Sequence, residues 1–112
     1  MQVLKPEYER ADERGKLVQL ITRPFRQLNL LKINKGEAFG GHYHKKKEEF
    51  FYVIEGEILV KIENQTKDKV YNFAKGDCFL VEVWDEHSIF ACEDTVIVET
   101  LGQPYSEEDT YE

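Results

Sequence analysis

The chain has 112 residues, a length that fits one domain with one modest hydrophobic core. Hydrophobic residues make up 41% and charged residues 33%, so the composition is that of a globular chain and excludes a disordered one. A net charge of −7 excludes the basic stripe of a nucleic-acid binder, and no apolar run approaches the length of a membrane span. Residues 1–15 are polar and irregular, with a short strand over Gln2–Leu4. The segment 7–13 permits a helical turn but has no apolar face, so this stretch reads as an arm against a partner subunit or a loose terminus.

From residue 16 the pattern is β. KLVQLI (16–21) reads as a strand that Thr22-Arg23-Pro24 breaks. QLNLLKI over Gln27–Ile33 alternates, with Leu28 and Leu30 on one face and Asn29, Leu31 and Ile33 on the other. After the Asn34-Lys35-Gly36 turn, 38–44 reads as a strand in which Gly40-Gly41 predicts a bulge or a close backbone approach. Runs at 49–54 and Glu57–Glu63 flank Glu55-Gly56 as a hairpin, and Asn64 to Asp68 is a polar loop. Strands are expected at 69–73, 78–83, 88–92 and Thr95–Leu101, with a turn at Lys75-Gly76-Asp77. The tail, 102–112, is acidic and extended. Short strands with regular turn signals and no helical period predict an all-β sandwich or barrel over 16–101.

Only three histidines are present, and His42 and His44 stand one residue apart. In a strand, residues i and i+2 share a face, so the two rings project together. If the strand starting at Glu49 neighbours this one, then Glu49, Phe51 and Val53 turn to the same interior. His87 shares its parity with Ile89 and Ala91, an apolar face, so it too points inward. Three neutral imidazoles and a carboxylate suit iron, manganese, nickel, cobalt or zinc better than calcium or magnesium. Glu48 is an alternative acid at shorter spacing, and the spacing to Gly56 favours Glu49.

At these residues the chain resembles the cupin superfamily of small β-barrels. The first cupin motif is Gly, five residues, His-x-His, three or four residues, Glu, six residues, Gly, and Gly36, His42, His44, Glu49 and Gly56 match it throughout. In the second motif Gly76 and His87 are in register, while Glu82, Trp84 and Ala91 stand where the motif has Pro, Gly and Asn. The resemblance implies a cupin-type barrel (a double-stranded β-helix or jelly roll) with a short N-terminal arm, and a divalent transition metal held by His42, His44, Glu49 and His87.

Asp12, Arg14 and Gly15, the run His42 to Lys46, Val83-Trp84 and the end from Tyr105 to Tyr111 are also similar to ketoisomerase-type cupins acting on nucleotide-linked sugars. His-Tyr-His, His87-Ser88-Ile89 and Asp109-Thr110-Tyr111 are similar to the cupin domain of a capsular-polysaccharide reductase. The ketoisomerases as a group do not rely on a full metal quartet, whereas this chain has one.

The functional expectation is therefore a metal-dependent isomerase or epimerase of a sugar or sugar nucleotide, with Glu49 or a water on the metal as proton shuttle. Two alternatives stand beside it: an iron-dependent dioxygenase, and a non-catalytic, metal-dependent binder of a small ligand. Lys45, Lys46 and Lys47 read as a solvated loop or a basic rim that attracts an anionic substrate. Tyr43, Phe50, Tyr52 and Phe90 fall out of phase with the interior and mark sheet packing or a dimer interface. A homodimer, with no nucleic-acid or membrane partner, is expected. Cys78 and Cys92 are too few for a disulfide framework, and free thiols with no signal-peptide pattern point to the cytoplasm.

Overall fold

The computed structural model describes residues 1–44, 48–64, 68–103 and 106–111, with His42 and Glu107 described by their backbone alone. Eleven strands run in chain order: β1 Gln2–Leu4, β2 Tyr8–Asp12, β3 Gly15–Gln19, β4 Gln27–Ile33, β5 Ala38–His42, β6 Glu49–Glu55, β7 Glu57–Glu63, β8 Asp68–Ala74, β9 Cys78–Val81, β10 Glu86–Ala91 and β11 Thr95–Leu101. They form a five-stranded sheet in the order β1-β9-β6-β11-β4, a four-stranded sheet in the order β5-β10-β7-β8, and the separate hairpin β2-β3. All strand pairs are antiparallel. Among the described residues no helix is long and apolar enough to cross a membrane.

Period-two alternation builds the interior. Ile58, Val60 and Ile62 of β7 and Ile89 and Ala91 of β10 face Phe51 and Val53 of β6, Phe79 and Val81 of β9 and Ile97 of β11 in one buried cluster. Phe79 stacks on Phe73 from the other sheet with ring centroids 4.3 Å apart, and on Phe51 at 4.9 Å. Such aromatic pairs add to the burial that holds the two sheets face to face, giving the all-β architecture expected from the strand pattern and the jelly roll that the cupin resemblance implied.

The strand β9 reads CFLV and is buried on both sides. Phe79 and Val81 face the core, while Cys78 and Leu80 pack with Phe50 in a second cluster covered by Leu4, Leu20, Ile21 and Tyr52. The outward ring of Phe50 is thus covered by the chain's own N-terminal segments.

The N-terminal stretch differs from its expected irregular form. Tyr8–Asp12 is a strand and not a helical turn, pairing with β3 from Tyr8↔Gln19 to Asp12↔Gly15. The cause is cross-strand backbone bonding, which an amphipathicity argument does not register. Local signals at the tight turn reinforce it: Asp12 accepts from the Arg14 backbone N–H at 2.9 Å and pairs with its guanidinium.

Two further corrections concern the site. β5 ends at His42 and not at His44. β5 and β6 are not neighbours, because β5 pairs with β10 in one sheet and β6 lies between β9 and β11 in the other. The bulge expected at Gly40-Gly41 is present: both residues have positive φ, and the β5–β10 register shifts between His87↔His42 and Ser88↔Gly40.

Candidate active site

The candidate residues converge from both sheets across the interior. Glu49 opens β6 in the five-stranded sheet, and His87 lies near the start of β10 in the four-stranded sheet. His44 follows β5, where its backbone carbonyl accepts from the Trp84 N–H at 2.7 Å. His44 and His87 are each 4% exposed and Glu49 5%. The Nε2 of His44 is 2.7 Å from Glu49 Oε1, and the Nε2 of His87 is 3.9 Å from Glu49 Oε2. The backbone of His42 pairs with that of His87 at the end of β5. The His42 side chain and Lys45, Lys46 and Lys47 lie outside the described residues. Glu48 turns away from the interior and pairs with Arg23.

Backbone carbonyls orient both rings. His44 Nδ1 lies 2.7 Å from the Asp109 carbonyl, and His87 Nδ1 lies 3.4 Å from the Asp85 carbonyl. A carbonyl only accepts, so Nδ1 of His44 carries the proton and Nε2 turns its lone pair toward Glu49. A lone pair 2.7 Å from a carboxylate oxygen needs a positive charge there: a shared proton, or a bound cation in its place. Burial pushes the pKa of His87 down from 6.5, against the raising effect of the nearby Glu49 charge, so its neutral, ligating form is favoured. In donor chemistry the residues fit a divalent transition metal. Among the described residues no three His, Cys, Asp or Glu side chains stand as a ready-made metal cage.

These groups line a cleft of about 320 Å³. Its lining includes Gln27, Asn29 and Glu99, three polar residues that motif reasoning did not single out. Asn29 Nδ2 donates to Glu99 Oε1 at 2.9 Å, and Gln27 Nε2 donates to Asn29 Oδ1 at 3.2 Å. The available signal was parity: Gln27 and Asn29 share a face with Leu31 and Ile33, so two amides continue an apolar row.

Next to His44 in the chain, the Tyr43 ring stacks between Trp84, at 5.9 Å between centroids, and Tyr111, at 5.3 Å. Trp84 stands where the second cupin motif has glycine, and it keeps the left-handed backbone that a glycine would supply, with φ 72°. The tail is not simply extended: Glu107–Asp109 forms a 3-10 turn, and Tyr111 pairs with Tyr43 through two backbone hydrogen bonds.

The sequence pattern of the cupin domain matches residues 29–101. The chain belongs to the cupin domain family. No curated protein matches the chain. Among solved structures, this cupin is similar to a mutant of QdtA, a 3,4-ketoisomerase from Thermoanaerobacterium thermosaccharolyticum, in complex with TDP-4-keto-6-deoxyglucose. The identity is 17% and the TM-score 0.82, over 96% of this chain and 83% of that one. A dTDP-4-dehydrorhamnose 3,5-epimerase from Sulfolobus tokodaii matches with 19% identity and a TM-score of 0.78, over 96% and 73%. The capsular polysaccharide assembling protein CapF from Staphylococcus aureus matches with 23% identity and a TM-score of 0.67, over 99% of this chain but 32% of CapF. At these identities the likeness shows a shared fold.

Proposed function

We propose that this cupin is an isomerase or epimerase of a keto-sugar nucleotide, and that His42, His44, Glu49 and His87 hold a divalent transition metal. The observation that carries the reading is the convergence of two imidazole Nε2 atoms on one buried carboxylate at a cleft also lined by Gln27, Asn29 and Glu99. The sugar-nucleotide enzymes among the structural neighbours support the choice of substrate class. Moving a carbonyl along a sugar, or inverting the carbon beside it, requires taking a proton from that carbon and returning one. Glu49, buried at the cleft, or a water on the metal would take and return that proton, since His44 Nε2 is committed to the metal in this reading. A bound metal would act as a Lewis acid on the substrate carbonyl. The same reading includes the homodimer, for which Leu28 and Leu30 on the sheet-edge strand β4, 58% and 59% exposed, are the candidate contact.

Incubation with TDP-4-keto-6-deoxyglucose in deuterated water tests the activity, after loading with each of iron, manganese, nickel, cobalt and zinc. Deuterium entering beside the carbonyl is expected, together with bound metal by elemental analysis. No exchange with any metal counts against the isomerase, and oxygen uptake by the iron form would move the protein to the dioxygenases. Absence of bound metal after loading at neutral pH would remove the metal from the reading.

A further inference from the structure

We propose that Gln27, Asn29 and Glu99 form a hydroxyl-binding wall, and that the cleft admits the neutral sugar ring while its phosphates stay outside. The choice of ligand rests on the sugar-nucleotide reading above.

The inward faces of β4 and β11 turn polar at the same level, and that of β6 one inward position further on. β4 runs from Ile33 and Leu31 to Asn29 and Gln27, β11 from Ile97 to Glu99, and β6 from Val53 and Phe51 to Glu49. The register Asn29↔Glu99 places the first two changes side by side, and Leu101↔Glu49 sets the change on β6 two residues further along. The cost of this arrangement is visible on β4. A one-residue slip would turn Leu28 and Leu30 inward and Gln27 and Asn29 outward. The observed register leaves both leucines exposed and turns the two amides into the cleft.

The wall's chemistry selects for hydroxyls. A carboxylate accepts from two neighbouring hydroxyl groups, and each amide both donates and accepts. The chain of bonds from Gln27 through Asn29 to Glu99 fixes these groups before a ligand arrives, which lowers the ordering cost of binding. Charge argues in the same direction. Among the described lining residues there are two carboxylates, Glu49 and Glu99, and no lysine or arginine. At the Glu99 end of the cleft a phosphate would meet like charge, with no lysine or arginine among the described lining residues. Phe39, Phe51 and Leu101 supply apolar surface for the C–H faces of a ring.

Saturation-transfer NMR on the intact protein, with TDP-4-keto-6-deoxyglucose and with TDP alone, reads which protons touch the protein. The expected result is strong transfer to the sugar-ring protons. Glu99→Gln and Asn29→Leu should each weaken the sugar nucleotide about tenfold or more, the loss of a hydrogen bond to a charged or buried polar group, while TDP changes less than about twofold. Transfer to the thymidine protons alone, or TDP binding as tightly as the sugar nucleotide, would overturn the wall while leaving the nucleotide reading intact. Folded variants that bind the sugar nucleotide like the parent would do the same. A parent protein that binds neither ligand would overturn both. The transfer measured on the parent protein decides the question even if a variant fails to fold.

Discussion

His44 donates its Nδ1 proton to the backbone carbonyl of Asp109 at 2.7 Å, across a separation of 65 residues. The bond fixes one tautomer and turns Nε2 toward Glu49, and it ties the C-terminal tail to the site. Oriented ligands of this kind bind metal more tightly, and loss of the orienting partner typically costs about 10- to 100-fold in affinity. Deleting residues 106–112 should therefore lower zinc affinity by about that factor in calorimetric titration. An unchanged affinity would show that the tail does not orient the ring.

Gly40 allows β5 to lie close on β10. A Cβ there would stand 2.4 Å from the His87 carbonyl oxygen and 2.7 Å from the Ser88 Cα, on a backbone with φ +115°. Gly41 also has positive φ, +80°, but a Cβ there meets nothing within 4 Å. Gly41→Ala should cost about 1 kcal/mol from backbone strain alone, whereas Gly40→Ala adds a backbone collision beside His87 and should cost about 3 kcal/mol or more. Denaturant titration of the two variants checks the order, and equal losses would contradict the close approach.

Trp84 holds a left-handed backbone at φ 72° while its ring stacks on Tyr43. Trp84→Ala and Trp84→Gly both remove the stack, but only glycine releases the strain. The glycine variant should be the more stable of the two by about 1 kcal/mol. Thermal melts of the pair read that difference directly, and an alanine variant equal to or above glycine would place no strain at this turn.

The buried His87 sets a pH dependence for the metal-stripped protein. Burial holds its pKa below the ordinary 6.5, so between 6.5 and its folded pKa the unfolded chain binds the proton and the native state does not. Stability then rises with pH in this window; the contribution is fully present above 6.5 and is lost as pH falls below it. Melting temperatures of the EDTA-treated protein should fall between about pH 7 and about pH 5, and the fall should be shallower in His87→Asn. An identical slope in the variant would assign the dependence to other groups.

Much of the fold was legible because alternation is a local property. Gln27–Ile33, Glu57–Glu63 and Thr95–Leu101 were read with the bounds they have, since each alternates cleanly between turn signals. Motif spacing likewise singled out His44, Glu49 and His87, which the structure brings together. The N-terminal hairpin was not legible, because Tyr8–Asp12 is exposed along its whole length and has no apolar face to announce a strand.

By itself, then, the sequence determined most of the strands after the N-terminal hairpin, the turns between them and the pattern that marks His42, His44, Glu49 and His87, because all of these depend on spacing along the chain. Tertiary structure decided what depends on distance through space. It set β5 and β6 in opposite sheets, so that His44 and His87 meet Glu49 across the interior. It turned Glu49 inward and left Glu48 to Arg23, and it carried Asp109 to His44. It also chose the face of β4, placing Asn29 beside Glu99 in the cleft and leaving Leu28 and Leu30 exposed. Alternation says that two faces differ; only the pairing register and the opposing sheet say which face is inside.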